Sequence, residues 1–178
     1  MRYPTIFHLI SAITKKEGIR CVLVGGFAIN YYNVARQTVD VDFLMTKEDF
    51  KRISKYLENA GFELDYSQEV FARFKGPDYY LMDIDFMFVD KETLDKILKD
   101  SKETFIAKQK FIVPSLNTLI ALKLHAVKYN RKLREYKDLP DVINLIRVNR
   151  LDYKSKEFRG LCLKYGTEEL YNKILKGV

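Results

Sequence analysis

Up to about Pro114, short apolar runs and alternating stretches are interleaved with helical patterns; beyond it, apolar residues recur every three to four positions throughout. The first run, Arg20 to Val24, predicts a strand. Gly25-Gly26 ends it and opens a short helix over about Phe27 to Val34. Val39 to Met45 alternates as a strand does, and Thr46, followed by Glu48 and Asp49, marks the start of a helix reaching about Ala60. Phe62 to Tyr66 and Val70 to Lys75 read as strands, Gly76-Pro77-Asp78 as a turn, and Tyr79 to Val89 as a long strand. Asp90 caps a helix ending near Asp100, and Thr104 to Val113 reads as a final strand or hairpin. Helices follow over about Ser115 to Asn130, Leu139 to Val148, Ser155 to Tyr165 and Glu168 to Leu175. This order predicts an α/β (α+β) fold, with a mixed sheet and flanking helices over residues 1–113 and a helical subdomain over 114–178.

No apolar run is long enough to span a bilayer, and Met1-Arg2-Tyr3-Pro4 does not lead into a signal-peptide core. The expectation is a soluble, cytoplasmic chain with no membrane partner. Hydrophobic residues make up 47% of the sequence, enough to bury a core and to set aside a disordered chain. Thirty-one basic against 24 acidic residues leave +7, an excess that suits a polyanion such as RNA. Much of it is scattered lysine, as on any solvated helix face. Cys21 and Cys162 are far apart and lack metal spacing, and Cys21 reads as a small core residue. With His8 and His125 the only histidines, a His-based or zinc centre is set aside.

Chemistry gathers in Val39-Asp40-Val41-Asp42-Phe43. In a strand, Asp40 and Asp42 share one face and the apolar residues take the other. Two neighbouring carboxylates repel each other and resist desolvation, penalties that a divalent cation with hard oxygen ligands removes. A merely wet sheet face would look the same. The arrangement repeats, however, in Met82-Asp83-Ile84-Asp85-Phe86, so a third acid, Asp83 or Asp85, is available from another strand. Three such acids suit phosphoryl transfer assisted by metal ions. Gly25-Gly26, placed before the acids, would let a phosphate approach the backbone closely.

The string GGFAINYYNVARQTVDVDFLM resembles the signature of the DNA polymerase β-like nucleotidyltransferase superfamily. A glycine turn opens a helix, Asp-x-Asp follows on the next strand, and a third Asp comes later. Lys137-Asp138-Leu139-Pro140-Asp141 and the helix around Leu122-Lys123-Leu124 are similar to the nucleotidyltransferase toxin of type IV abortive-infection toxin–antitoxin systems. In many of these toxins the turn is Gly-Ser, so the Gly-Gly here lacks one hydroxyl contact to phosphate.

The resemblance implies transfer of a nucleoside monophosphate from a nucleoside triphosphate to an acceptor hydroxyl. It implies Mg2+, with Mn2+ as a substitute, on Asp40, Asp42 and Asp85 (or Asp83). It also implies nucleotide contacts from Gly25, Gly26, Arg36, Thr38, Lys123, Lys137, Asp138 and Asp141, with the nucleotide between core and helical subdomain. The acceptor stays open among the tRNA 3′ end or other RNA, a protein hydroxyl and an antibiotic. A cognate antitoxin is an implied partner, and a non-catalytic nucleotide- or RNA-binding protein is the alternative.

Two nucleotide assignments also have local readings. Asp138, with Pro140 and Asp141 after it, forms a plausible helix start. Lys123 falls in the middle of an apolar stripe of Leu116, Leu119, Ile120, Leu124 and Val127, so its ammonium must reach water or an anion.

Overall fold

A computed structural model describes residues 3–78 and 80–178. They form two compact units: residues up to Ala28 together with Arg36–Pro114, and Ile29–Ala35 together with Ser115–Val178. The second unit thus contains a short piece of the N-terminal half that one cut at residue 113 would give to the core.

In the first unit, strands β1 (Val22–Leu23), β2 (Asp40–Met45), β3 (Glu63–Ser67), β4 (Phe71–Lys75) and β5 (Asp83–Phe88) build a mixed sheet of order β1-β2-β5-β4-β3. Only β2 and β5 are parallel; the other neighbours are antiparallel. Alternation gives the sheet two unlike faces. On one, Val41, Phe43, Ala72, Phe74, Ile84 and Phe86 are fully buried. Helix α3 (Lys47–Asn59) covers this face through Phe50, whose ring lies 5.4 Å from Phe86 and 6.1 Å from Phe74. The opposite face carries the acids.

Helix α3 starts where expected: Thr46 accepts a hydrogen bond from the Asp49 N–H, and Asp90 likewise caps α4 (Lys91–Lys99) through the Thr93 N–H. Thr104 to Val113 resolves as a hairpin of β6 (Lys102–Ile106) and β7 (Gln109–Val113), turning at Ala107 and Lys108 with positive φ at both. The expected strand from Tyr79 to Val89 is shorter, beginning only at Asp83, because Asp78 and Leu81 first pair in an isolated bridge; Tyr79 lies outside the described residues. Helix α1 (Ile6–Glu17) has no counterpart among the predicted elements. It buries Ile6, Leu9, Ile10 and Ile13, sets Phe7 5.0 Å from Phe27 and 5.6 Å from Phe111, and ends at Gly18 in the left-handed region. Cys21 is half-buried rather than a core residue, both cysteines are free, and burial pushes each thiol up to about 12.

The second unit holds α5 (Leu116–Tyr129), α6 (Arg131–Val148), α7 (Lys156–Tyr165) and α8 (Glu168–Gly177), along with the end of α2 (Gly25–Tyr31). Asn149 donates its side-chain amide to the Tyr32 carbonyl at 3.0 Å, tying residues 29–35 to this unit. The largest departure from expectation is α6, which begins at Arg131 rather than near Leu139 and carries Pro140 inside it. Asp138 is therefore not a cap; it is a buried mid-helix residue. Pro140 forfeits a hydrogen bond to the Tyr136 carbonyl, yet the turns before it are held by ion pairs from Arg131 to Glu135 and Glu169 and from Asp138 to Lys123. Tertiary contacts override the local start signal.

Candidate active site

The register of β2 on β5 decides which acids meet. Asp40 lies opposite Asp83 and Asp42 opposite Asp85, all on the face away from the aromatic core. Like charges directly across adjacent strands destabilise a sheet unless something binds them. Here the compensation is Arg73 on β4, the register partner of Asp85. Its Nε donates to Asp85 Oδ1 at 2.6 Å and its Nη2 to Asp85 Oδ2 at 2.9 Å, a bidentate fork. The same Nη2 donates to Asp40 Oδ2 at 3.2 Å. These bonds raise the affinity of the Arg73 guanidinium for its proton, the Asp85 hydrogen bond first among the causes.

Asp83 is placed differently. Its Oδ1 accepts the Gly76 N–H at 2.9 Å and so pins the turn between β4 and β5. Asp85 is the more buried of the two and shares its cation with Asp40.

The glycine turn abuts the acids. Gly25 adopts φ +60°, and a Cβ there would sit 1.8 Å from Asp42 Oδ2. A Cβ on Gly26 would fall 2.6 Å from Thr38 Cβ. The Thr38 hydroxyl donates to Asp40, to Oδ1 at 2.9 Å and to the backbone carbonyl at 3.1 Å. Two bare backbone positions thus allow Asp42 and Thr38 to close on the turn, and Thr38 fixes Asp40. Arg36 is half-buried in the connection leading to β2.

Chemically, three carboxylates on one face are a hard-oxygen donor set that fits Mg2+ or Mn2+, and one guanidinium already bridges two of them. Among the described residues no three acidic, histidine or cysteine side chains form a ready-made metal cage. Arg73 hydrogen-bonds both oxygens of Asp85 and so competes with any cation for them.

In the second unit, Lys123 Nζ donates to Asp138 Oδ1 and Asp141 Oδ2, both at 2.8 Å, with all three side chains buried. Asp138 Oδ2 has no hydrogen-bond partner. The lysine that interrupts the apolar stripe finds its anions within the helical unit. Lys137 is exposed and takes no part in that cluster.

Within the first unit the structure gathers Asp40, Asp42, Asp85, Gly25, Gly26 and Thr38; within the second it gathers Lys123, Asp138 and Asp141. Sequence reasoning missed Arg73, whose alternation in Phe71-Ala72-Arg73-Phe74 was legible but whose register against Asp85 was not.

A mixed sheet bearing paired acids on one face beside a glycine turn fits the nucleotidyltransferase class that the sequence resemblance implied. The chain belongs to the family described as nucleotidyl transferase AbiEii toxin, type IV TA system, whose model matches residues 9–176. Among solved structures it is similar to the antibiotic-resistance factor ANT(2'')-Ia, at 16% identity over 95% of this chain and 86% of that chain, with a TM-score of 0.59. It is similar to the lincosamide antibiotic adenylyltransferase LnuA, at 16% identity over 78% and 93% of the two chains, with a TM-score of 0.54. It is also similar to an antigenic nucleotidyltransferase-like protein from Paracoccidioides brasiliensis, at 16% identity over 97% and 90%, with a TM-score of 0.54. At such identities the likeness is one of fold. No curated protein matches the chain by sequence. No helix among the described residues is long and apolar enough to cross a membrane.

Proposed function

We propose that this nucleotidyltransferase is metal-dependent and moves a nucleoside monophosphate from a nucleoside triphosphate onto an acceptor hydroxyl, with the tRNA 3′ end as the leading acceptor. The observation that supports this most is the β2–β5 register, which sets Asp42 opposite Asp85 with Asp40 on the same face. Asp40, Asp42 and Asp85 would hold Mg2+, or Mn2+ in its place; Asp83 is left to its turn. When bound, the metal would neutralise phosphate charge and ease ionisation of the acceptor hydroxyl.

The acceptor oxygen attacks the α-phosphorus, the bond from that phosphorus to the bridging oxygen breaks, and pyrophosphate leaves. Asp85, once released by Arg73, would take the acceptor's proton. Gly25 and Gly26 offer bare backbone to the triphosphate, and Thr38 positions Asp40. On the family resemblance, Arg36, Lys123, Lys137, Asp138 and Asp141 contribute to nucleotide binding. Because Lys123 is committed to two aspartates, its part is to position them. A cognate antitoxin is the proposed protein partner.

The test incubates the protein with each labelled nucleoside triphosphate and total small RNA, with Mg2+ or with EDTA, beside an Asp40→Ala/Asp42→Ala variant. Label is expected in RNA with wild type and Mg2+ alone. Label on protein or a small molecule would relocate the acceptor. Equal and negligible transfer by wild type and variant to all three would end the metal-dependent reading.

A further inference from the structure

Arg73 has no place in the reaction just described, yet it grips Asp85 at 2.6 and 2.9 Å. Its fork uses both oxygens of Asp85, and its third bond reaches Asp40, so it engages two of the three acids proposed to hold metal. A carboxylate gripped bidentately by a guanidinium presents its inner lone pairs to that guanidinium. A divalent ion needs those same oxygens. The guanidinium fork and a chelating divalent ion therefore compete for Asp85.

The side chain also has a route to solvent. It is 36% exposed while Asp85 is 12% exposed, so the guanidinium lies on the solvent side of the carboxylate. With no metal present, it supplies the positive charge that keeps neighbouring carboxylates on adjacent strands tolerable.

We propose that Arg73 is a displaceable counter-cation that neutralises Asp85 and Asp40 in the metal-free protein and must release Asp85 before a divalent ion binds. It thereby sets the metal affinity of the site. The inference rests on the proposed metal role of Asp40, Asp42 and Asp85. It assigns Arg73 a sign: removing it strengthens metal binding, whereas an arginine that merely orients the acids would weaken it when removed.

The test is titration of the nucleotide-free full-length protein with Mn2+, followed by the loss of the free-ion signal in electron paramagnetic resonance. Wild type, Arg73→Gln, Arg73→Lys and Asp42→Asn are compared. Arg73→Gln is expected to bind Mn2+ roughly tenfold or more tightly than wild type, the scale of a lost charge-assisted hydrogen-bond pair. Arg73→Lys, which keeps the charge and loses the fork, should fall between them and carries the test if Arg73→Gln does not fold. Thermal melts should show metal-free Arg73→Gln less stable than wild type, with a larger gain on adding Mn2+. Equal or weaker Mn2+ binding by both Arg73 variants overturns the inference while leaving the metal site standing. If Asp42→Asn leaves Mn2+ binding untouched, the metal reading itself fails and takes the inference with it.

Discussion

At Gly25 two separate constraints coincide: a left-handed backbone at φ +60° and a carboxylate oxygen 1.8 Å from where a side chain would begin. Gly25→Ala must either move Asp42 or unwind the turn. It should cost at least about 2 kcal/mol in urea unfolding and abolish nucleotide transfer. A variant of unchanged stability and activity would contradict the geometry. Lys123 presents the opposite problem, a buried charge that is matched. Lys123→Met removes the buried cation between Asp138 and Asp141, leaving Asp138 only the more distant Arg134 at 3.7 Å as a cation, and should cost about 3–5 kcal/mol, while replacing all three together by apolar residues recovers most of it. A loss below about 1 kcal/mol in chemical denaturation would show the cluster to be wetter than described. The acids and glycines were legible because their chemistry is unusual within an apolar strand. Arg73 was not, since only the pairing of β4 with β5 reveals what it faces.

Among the elements, those with a side-chain cap were found from the sequence at nearly their true starts: α3 at Thr46, α4 at Asp90, α5 at Ser115, α7 at Ser155 and α8 at Thr167. The two that went wrong lack one. Thr5 and Asn130 precede α1 and α6 without a side-chain cap bond, so local chemistry announces neither start. For α1 the spacing of Ile6, Leu9, Ile10 and Ile13 before Gly18 was the available signal. For α6, Pro140 pointed to a later start, and contacts distant in sequence outweighed it. Ser115→Ala, which removes the cap on α5, should cost about 1 kcal/mol by thermal or urea unfolding. The Asp90 cap has a pH signature. The Thr93 N–H, and then its hydroxyl, hold the Asp90 carboxyl below its usual range. Its contribution is therefore complete above the ordinary aspartate value and lost as pH falls through the lowered one. Asp90→Asn should flatten that acid limb in melts recorded stepwise from pH 5 downward; an unchanged limb would deny the cap its charge.

On the scale of the molecule, the helical unit is laced by ion pairs joining Arg131 and Glu135 on α6 to Glu169 and Lys173 on α8. These contacts lower the proton affinity of both glutamates and raise that of Lys173, with the Lys173 bond first for Glu135 and the Arg131 bond first for Glu169. Acid should loosen α8 as pH falls through the depressed glutamate values, and added salt should weaken it at neutral pH. Glu135→Gln/Glu169→Gln should remove both sensitivities, followed as hydrogen exchange of α8 amides. Division into strands with helices and then helices alone was legible from periodicity; that residues 29–35 pack with the later part was not, because nothing local marks them. This detour has a consequence for biosynthesis. Ile29 and Val34, both buried in the finished protein, leave the ribosome long before residues 115–178 exist to shelter them. The stretch just beyond the glycine turn must wait, unprotected, for the tail of its own polypeptide, so a nascent chain halted near Pro114 should be a client for chaperones and proteases rather than a small working enzyme.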